Sequence, residues 1–158
     1  MSKPQTMHAR DAVAASMAEC YFIINGERIN GMNAIELKAE FEKNKTEVAI
    51  LGKTAKGNKA TGWTGTGSCK LHYNSSRFRQ MLIDYASTGV DVYFDIQVTN
   101  EDPTSSVGRQ TVILKDCNLD GGIVALFNAD EEILEDEFDF TFEDLLMPEK
   151  FNELQGAQ

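Results

Sequence analysis

Residues 33–44 read Asn33-Ala34-Ile35-Glu36-Leu37-Lys38-Ala39-Glu40-Phe41-Glu42-Lys43-Asn44. Ile35, Leu37, Ala39 and Phe41 alternate with Glu36, Lys38, Glu40 and Glu42. A period of two puts one set on each side of a β-strand, one side buried and one wet. Wound into a helix, the same apolar groups would scatter round the axis. The alternation therefore outweighs the good helix propensities of Ala, Glu and Lys.

The same signature recurs outward from this stretch. In Thr61–Tyr73, the residues Trp63, Gly65, Gly67, Cys69, Leu71 and Tyr73 fall on one face, and Thr64, Thr66, Ser68, Lys70 and His72 on the other. Glycines there predict a bend or the close approach of another backbone. Val90–Thr99 alternates too, with Val90, Val92, Phe94, Ile96 and Val98 on one side. In Ile133–Phe142, the residues Leu134, Phe138, Phe140 and Phe142 oppose Glu135, Glu137, Asp139 and Thr141. Cys20–Asn25 reads as a strand, Gly26-Glu27 as a tight turn and Arg28–Asn30 as the returning strand. Thr46–Leu51 extends the first strand, followed by a polar, basic loop over Gly52–Lys59. Gln110–Leu119 is a further strand ending in a turn at Asp120-Gly121-Gly122. Ile123–Phe127 fits a strand or a helical turn.

One helix stands out. Ser75 and Ser76 supply the N-cap chemistry, and Phe78, Met81, Leu82 and Tyr85 recur at helical spacing. Gly89 supplies the stop. Arg77, Arg79 and Asp84 belong to its expected outer face. The sum is a mainly β (α+β) chain: two packed antiparallel sheets or a β-barrel-like sandwich, with one flanking α-helix at about residues 76–88. The expected organisation is an arm over residues 1–19, a β domain over 20–147 and a polar tail over 148–158.

Composition narrows the function classes. At 158 residues and 42% hydrophobic, the chain fits one domain with its own core. Its formal net charge of −10 argues against gripping DNA, since phosphate contacts need a basic face. A channel that DNA merely traverses is different, because a negative wall repels phosphates. The isolated Cys20, Cys69 and Cys117 have no metal-ligand spacing and suit a reducing cytoplasm. Met1–Glu19 carries charges and no apolar core, so no signal peptide is expected. No run approaches the roughly 18 apolar residues of a membrane span, so no membrane anchoring is expected.

Several groups of residues invite a chemical reading and fail it. Gly52-Lys53-Thr54 resembles the end of a phosphate-binding loop, but Glu47 stands where the first glycine belongs and a β pattern follows instead of a helix. His8 and His72 are the only imidazoles, and no nucleophile–base pattern is legible, so no enzyme and no cofactor are expected. Asp130–Asp144 is dense in carboxylates but lacks the glycine-turn spacing of a calcium loop. Lys43, Lys45, Lys53, Lys56 and Lys59 cluster in and before the long loop. One basic loop and one acidic strand in the same chain permit a heterologous subunit contact, the kind that builds rings or filaments.

Thr61-Gly-Trp-Thr-Gly-Thr-Gly-Ser68, the strand–helix stretch Lys70–Tyr85, Tyr93–Ser106, Val112–Asp116 and Phe138–Phe142 together resemble the tail tube proteins of contractile-tailed phages and phage-tail-like particles, including defective prophages and bacteriocins. The likeness runs from about residue 20 onward. It implies a virion or particle component assembled in the bacterial host cytoplasm. It implies homohexameric rings whose strands form a continuous barrel around a channel for DNA passage or membrane puncture. It also implies stacking on a baseplate hub, a surrounding sheath, a tail terminator, and DNA only as passing cargo. On that resemblance, Lys53, Lys56 and Lys59 in the loop Gly52–Lys59 are inter-ring candidates. Asp102, Ser105 and Ser106 in the loop Asn100–Gly108 are a second contact candidate. Asp91, Asp95, Glu135, Glu137 and Asp139 are candidates for the channel wall. A secretion-system tube of related build carries effectors instead of DNA; a monomeric ligand-binding barrel would need an apolar interior pocket and would not polymerise.

Overall fold

The computed structural model describes residues 6–154. Its strands are β1 (Ala18–Ile24), β2 (Glu27–Asn30), β3 (Ala34–Val48), β4 (Gly57–His72), β5 (Phe94–Glu101), β6 (Arg109–Gly122), β7 (Glu135–Phe142) and β8 (Asp144–Glu149). The helix α1 spans Arg77–Thr88. Among the described residues the chain is mainly β with one α-helix, and its antiparallel strands are hydrogen-bonded in the order β2-β1-β5-β6-β7-β4-β3, with β8 also on β6. The path ends on β2 and β3 and does not close into a barrel. Two compact units are distinguishable, one containing β1, β2, β5, β8 and the first part of β6, the other β3, β4, α1, β7 and the rest of β6. The change falls at Lys115/Asp116, where Asp116 has a φ of 53°.

In the second unit, register turns the alternations into one apolar face. Leu37 lies opposite Cys69, Ala39 opposite Gly67 and Phe41 opposite Gly65. Across β4, Cys69 faces Phe138, Gly67 faces Phe140 and Gly65 faces Phe142. Cys69, Leu71 and the three phenylalanines are buried. The glycines admit rings where a backbone approach was expected: a Cβ on Gly65 would stand 2.5 Å from the Phe142 ring. One on Gly67 would stand 2.4 Å from Phe140 and 2.9 Å from the Lys38 carbonyl oxygen.

The helix covers part of that face, with the Phe78 and Phe138 ring centroids 4.4 Å apart. Gly89 ends it in the left-handed region at φ 73°, its N–H donating to the Tyr85 carbonyl. Ser76 occupies the N-cap position without a side-chain cap bond. Phe78, Met81 and Leu82 are half-buried and Tyr85 is exposed. Arg79, expected on the outer face, points inward with 12% of its side chain exposed. Its Nη1 donates to Asp136 Oδ2 at 2.8 Å, and its guanidinium lies over the Tyr73 ring. Asp136 sits on the apolar face opposite Leu71, and a carboxylate there requires a counter-charge.

Three boundaries differ from the sequence expectation. The strand expected from Val90 starts at Phe94, because Asp91 Oδ1 accepts the Val92 N–H at 2.9 Å and takes that backbone out of a ladder. Asp120-Gly121-Gly122 is no turn: β6 runs through it, skipping register between Leu119 and Gly121. The segment 123–134 is irregular, neither strand nor helix.

In the first unit, Phe22 pairs with Ile96 and Ile24 with Phe94, and all four are buried. The β1–β2 turn lies at Asn25-Gly26, both with positive φ, one residue earlier than expected. Burial pushes the Cys20 thiol up to about 12, so it stays neutral. Thr99 is buried because its hydroxyl meets that of Thr111 at 3.0 Å. Part of the expected arm, residues 1–5, and of the expected tail, residues 155–158, lies outside the described residues. The rest of the arm is tied down. Asp11 Oδ1 accepts the Ser106 N–H at 2.9 Å and its hydroxyl at 2.7 Å, and Asp102 Oδ2 accepts the Ala14 N–H at 2.9 Å. These hydrogen bonds hold Asp11 and Asp102 below the ordinary carboxylate value of 3.8.

Gly67→Ala should destabilise the chain by roughly 1–3 kcal/mol in a denaturant melt, the cost of overpacking. Gly62→Ala, whose nearest neighbour to the new Cβ is 4.0 Å away, should leave the midpoint unchanged. Because the folded values of Asp11 and Asp102 are depressed, their stabilisation of residues 9–17 is full above the unfolded carboxylate range. It is lost as pH falls through the folded values. Amide exchange should therefore show this segment loosening in acid ahead of β5 and β6, and Asp11→Asn should loosen it already at neutral pH.

Candidate assembly surfaces

Opposite the aromatic face, β3, β4 and β7 present a polar face whose membership follows from register. Glu36 pairs with Lys70, Lys38 with Ser68, Glu40 with Thr66 and Glu42 with Thr64. Across β4, His72 pairs with Glu135, Lys70 with Glu137, Ser68 with Asp139 and Thr66 with Thr141. Over Thr64–His72 of β4 and the residues paired with it, the carboxylates Glu36, Glu40, Glu42, Glu135, Glu137 and Asp139 thus share one side with two lysines, Lys38 and Lys70. Lys38 pairs with Glu40 at 3.0 Å, and that neighbour raises its pKa. Lys70 reaches Glu135 at 4.0 Å. Both pairs are largely solvated, so they screen the face without neutralising it.

Three of the five channel-wall candidates, Glu135, Glu137 and Asp139, therefore lie together. Of the other two, Asp91 precedes β5 outside any strand, and Asp95 lies in the first unit, where it pairs with Ile23. Glu36, Glu40 and Glu42 belong to the face yet were not among the candidates. Their signal was the alternation at residues 33–44 itself, but pairing with β4 was needed to assign that wet side to the same surface.

The β3–β4 hairpin reaches past its support. β7 pairs only with Gly65–His72, so Glu42–Val48 and Gly57–Thr64 form a two-stranded ribbon. Phe41 stacks on Trp63 at 4.7 Å between centroids, and Trp63 leans on Phe142 at 5.9 Å. The expected loop Gly52–Lys59 is shorter, since Gly57, Asn58 and Lys59 are in β4. A turn over Ile50–Lys53 closes the tip, with Gly52 at φ 83° and the Lys53 N–H donating to the Ile50 carbonyl at 3.2 Å. Lys53 and Lys56 stand in the tip and Lys59 on the ribbon beside it, all exposed; Lys56 is within 3.9 Å of Glu47. Gly52-Lys53-Thr54 is followed by a strand, as its sequence context required.

The second contact candidate is engaged within the chain. Asp102 and Ser105 are buried. Asp102 accepts from Ala14 and Thr104, Ser105 Oγ donates to the Asp11 carbonyl, and the exposed Ser106 donates to Asp11 Oδ1. Among the described residues no helix is long and apolar enough to cross a membrane.

These surfaces sit on a fold with known relatives. A family model described as phage tail tube protein matches residues 5–149. Over 130 residues the chain is 38% identical to the phage-like element PBSX protein XkdM of Bacillus subtilis (strain 168), covering 82% of this chain and 87% of that relative. A chain in the six-fold symmetrised baseplate of the anti-feeding prophage matches with a TM-score of 0.63 at 13% identity, over 93% of this chain and 97% of its own. A chain in the extended sheath–tube complex of the extracellular contractile injection system PVC matches with 0.61 at 10%, over 86% and 90%. Identities that low establish a shared fold and nothing finer. The family match and the Bacillus relative carry the assignment: this chain belongs to the phage tail tube protein family.

Proposed function

We propose that the chain is the structural subunit of the tube itself, forming stacked homohexameric rings around a channel inside a contractile tail or tail-like particle. The observation that carries this is the pair of free ends in an otherwise continuous antiparallel path, β2 at one and β3 at the other. Exposed strand edges template further pairing. In a closed ring each β3 edge finds the edge of the next copy and no edge remains. The long β3 suits such a seam.

The acidic face supports the choice of inner wall. A lining of Glu36, Glu40, Glu42, Glu135, Glu137 and Asp139 repels phosphates and keeps DNA from sticking as it passes. On this proposal the other side faces a sheath, and the ends meet a baseplate hub and a terminator. On this proposal residues 20–147 are the tube domain of the subunit, flanked by residues 1–19 and 148–158. Assembly takes place in the host cytoplasm.

Negative-stain electron microscopy of the concentrated protein, with light-scattering mass on the same sample, should show hollow rings or tubes of six subunits per ring. A monodisperse monomer at every concentration, even with a baseplate seed, would sink the proposal. Glu137→Lys with Asp139→Lys should slow DNA passage in an assembled particle while the subunit's melting curve stays put; an unfolded subunit would instead assign those carboxylates a structural role.

A further inference from the structure

Two segments far apart in sequence are fastened to one loop of the first unit. Residues 9–17 hold a single buried side chain, Asp11, and residues 145–154 hold none. Neither segment therefore gains much from removing apolar surface from water. Each is held by hydrogen bonds instead, and both sets of bonds end on residues 101–109, the stretch that joins β5 to β6. All three stretches belong to the first unit.

The loop buries Asp102, Ser105 and Val107, two polar residues and one apolar. A polar interior keeps its shape only while its groups have hydrogen-bond partners. The N-terminal segment supplies several of them. The Ala14 N–H donates to Asp102, Asp11 Oδ1 accepts the Ser106 N–H, and the Asp11 carbonyl accepts from Ser105 Oγ at 2.9 Å. Ser105 Oγ also accepts the Val107 N–H at 3.3 Å. The Val107 carbonyl in turn accepts the Asn152 N–H at 2.7 Å. An unbroken run of hydrogen bonds thus leads from Asp11 through Ser105 and Val107 to Asn152, and members of such a run strengthen one another. Glu149 has a separate anchor, the Thr111 hydroxyl at 3.1 Å on β6, so dependence on the loop begins beyond it. Arg109 lies between Glu101 and Glu149 at 3.7 and 3.3 Å, but all three side chains are about half exposed, and solvated pairs of this kind add little.

We propose that the β5–β6 loop couples the two segments, so that residues 9–17 and 150–154 dock on it together and leave it together. The loop is the two-state element that both segments bias. With residues 9–17 undocked, Asp102, Ser105 and Ser106 lose partners, and the loop no longer holds the Val107 carbonyl where Asn152 meets it. With residue 152 undocked, the run of bonds ends at Val107 and the loop grips Asp11 less firmly. A partner that draws one segment away thereby frees the other. The coupling is a property of the single subunit and stands or falls apart from the tube proposal.

Residue-resolved amide exchange by NMR on the full chain, at one neutral pH, tests it from both sides. Asp11→Ala should speed exchange of the Asn152 amide by about tenfold or more, while Ile96 in β5 and Leu114 in β6 keep their rates. Asn152→Pro, which deletes the donor, should speed the Ala14 and Ser106 amides by a factor of the same size, because coupling between two sites is reciprocal. An Asn152 amide unmoved by Asp11→Ala, or Ala14 and Ser106 amides unmoved by Asn152→Pro, would overturn the coupling and leave two independent attachments. Should Asp11→Ala also quicken Ile96 and Leu114, Ser105→Ala decides in its place, since it keeps the Asp11 carboxylate and removes only the hydroxyl in the middle of the run. Faster exchange at both Ala14 and Asn152 in that variant supports the coupling; faster exchange at Ala14 alone rejects it.

Discussion

Phe140 and Phe142 lie over Gly67 and Gly65, and the rest of the second unit depends on that arrangement. Two rings occupy the space that two side chains would otherwise fill, which pins β7 against β4 in a single register. Aromatic cover of strand glycines is a device that fixes pairing. A slip of one residue would turn every side chain to the opposite face. It would drive Glu137 and Asp139 against Cys69 and Leu71 and put the phenylalanines in water. The acidic face is thus the other side of the aromatic one.

From that anchor the hairpin extends beyond what β7 supports. A two-stranded ribbon alone is marginal in water. This one is held at its base by Phe41, Trp63 and Phe142, and it exposes apolar residues at its tip.

The first unit solves a different problem. A chain start with little apolar patterning cannot hold itself by burial, and here it is held by hydrogen bonds instead. Asp11 and Asp102 each accept backbone N–H groups, and both carboxyls stay ionised for that reason. Asp102, Ser105 and Ser106 looked available for a neighbour when read along the chain. Folded, they are spent on residues 11–14, a segment some 90 positions earlier in the sequence.

The sequence by itself determined the strands with strict alternation, the one helix and its glycine stop, and the acidic character of one side of β7. Those are local: a period of two or of 3.6 needs no partner to be legible. It also determined that the hairpin would be basic and the segment before β7 acidic, since charge is composition. What only the tertiary structure decided were the matters of pairing. Burial of Asp136 against Leu71 turned Arg79 inward, because an unpaired carboxylate in an apolar layer is too costly. A register skip carried β6 through a glycine pair that reads as a turn. The joining of Glu36, Glu40 and Glu42 to Glu137 and Asp139 needed β4 between them, and the separation of tip and acidic segment to opposite ends needed the antiparallel sense of β4 and β7. Periodicity tells which side of a strand is wet; only hydrogen-bonded neighbours tell which wet sides form one surface.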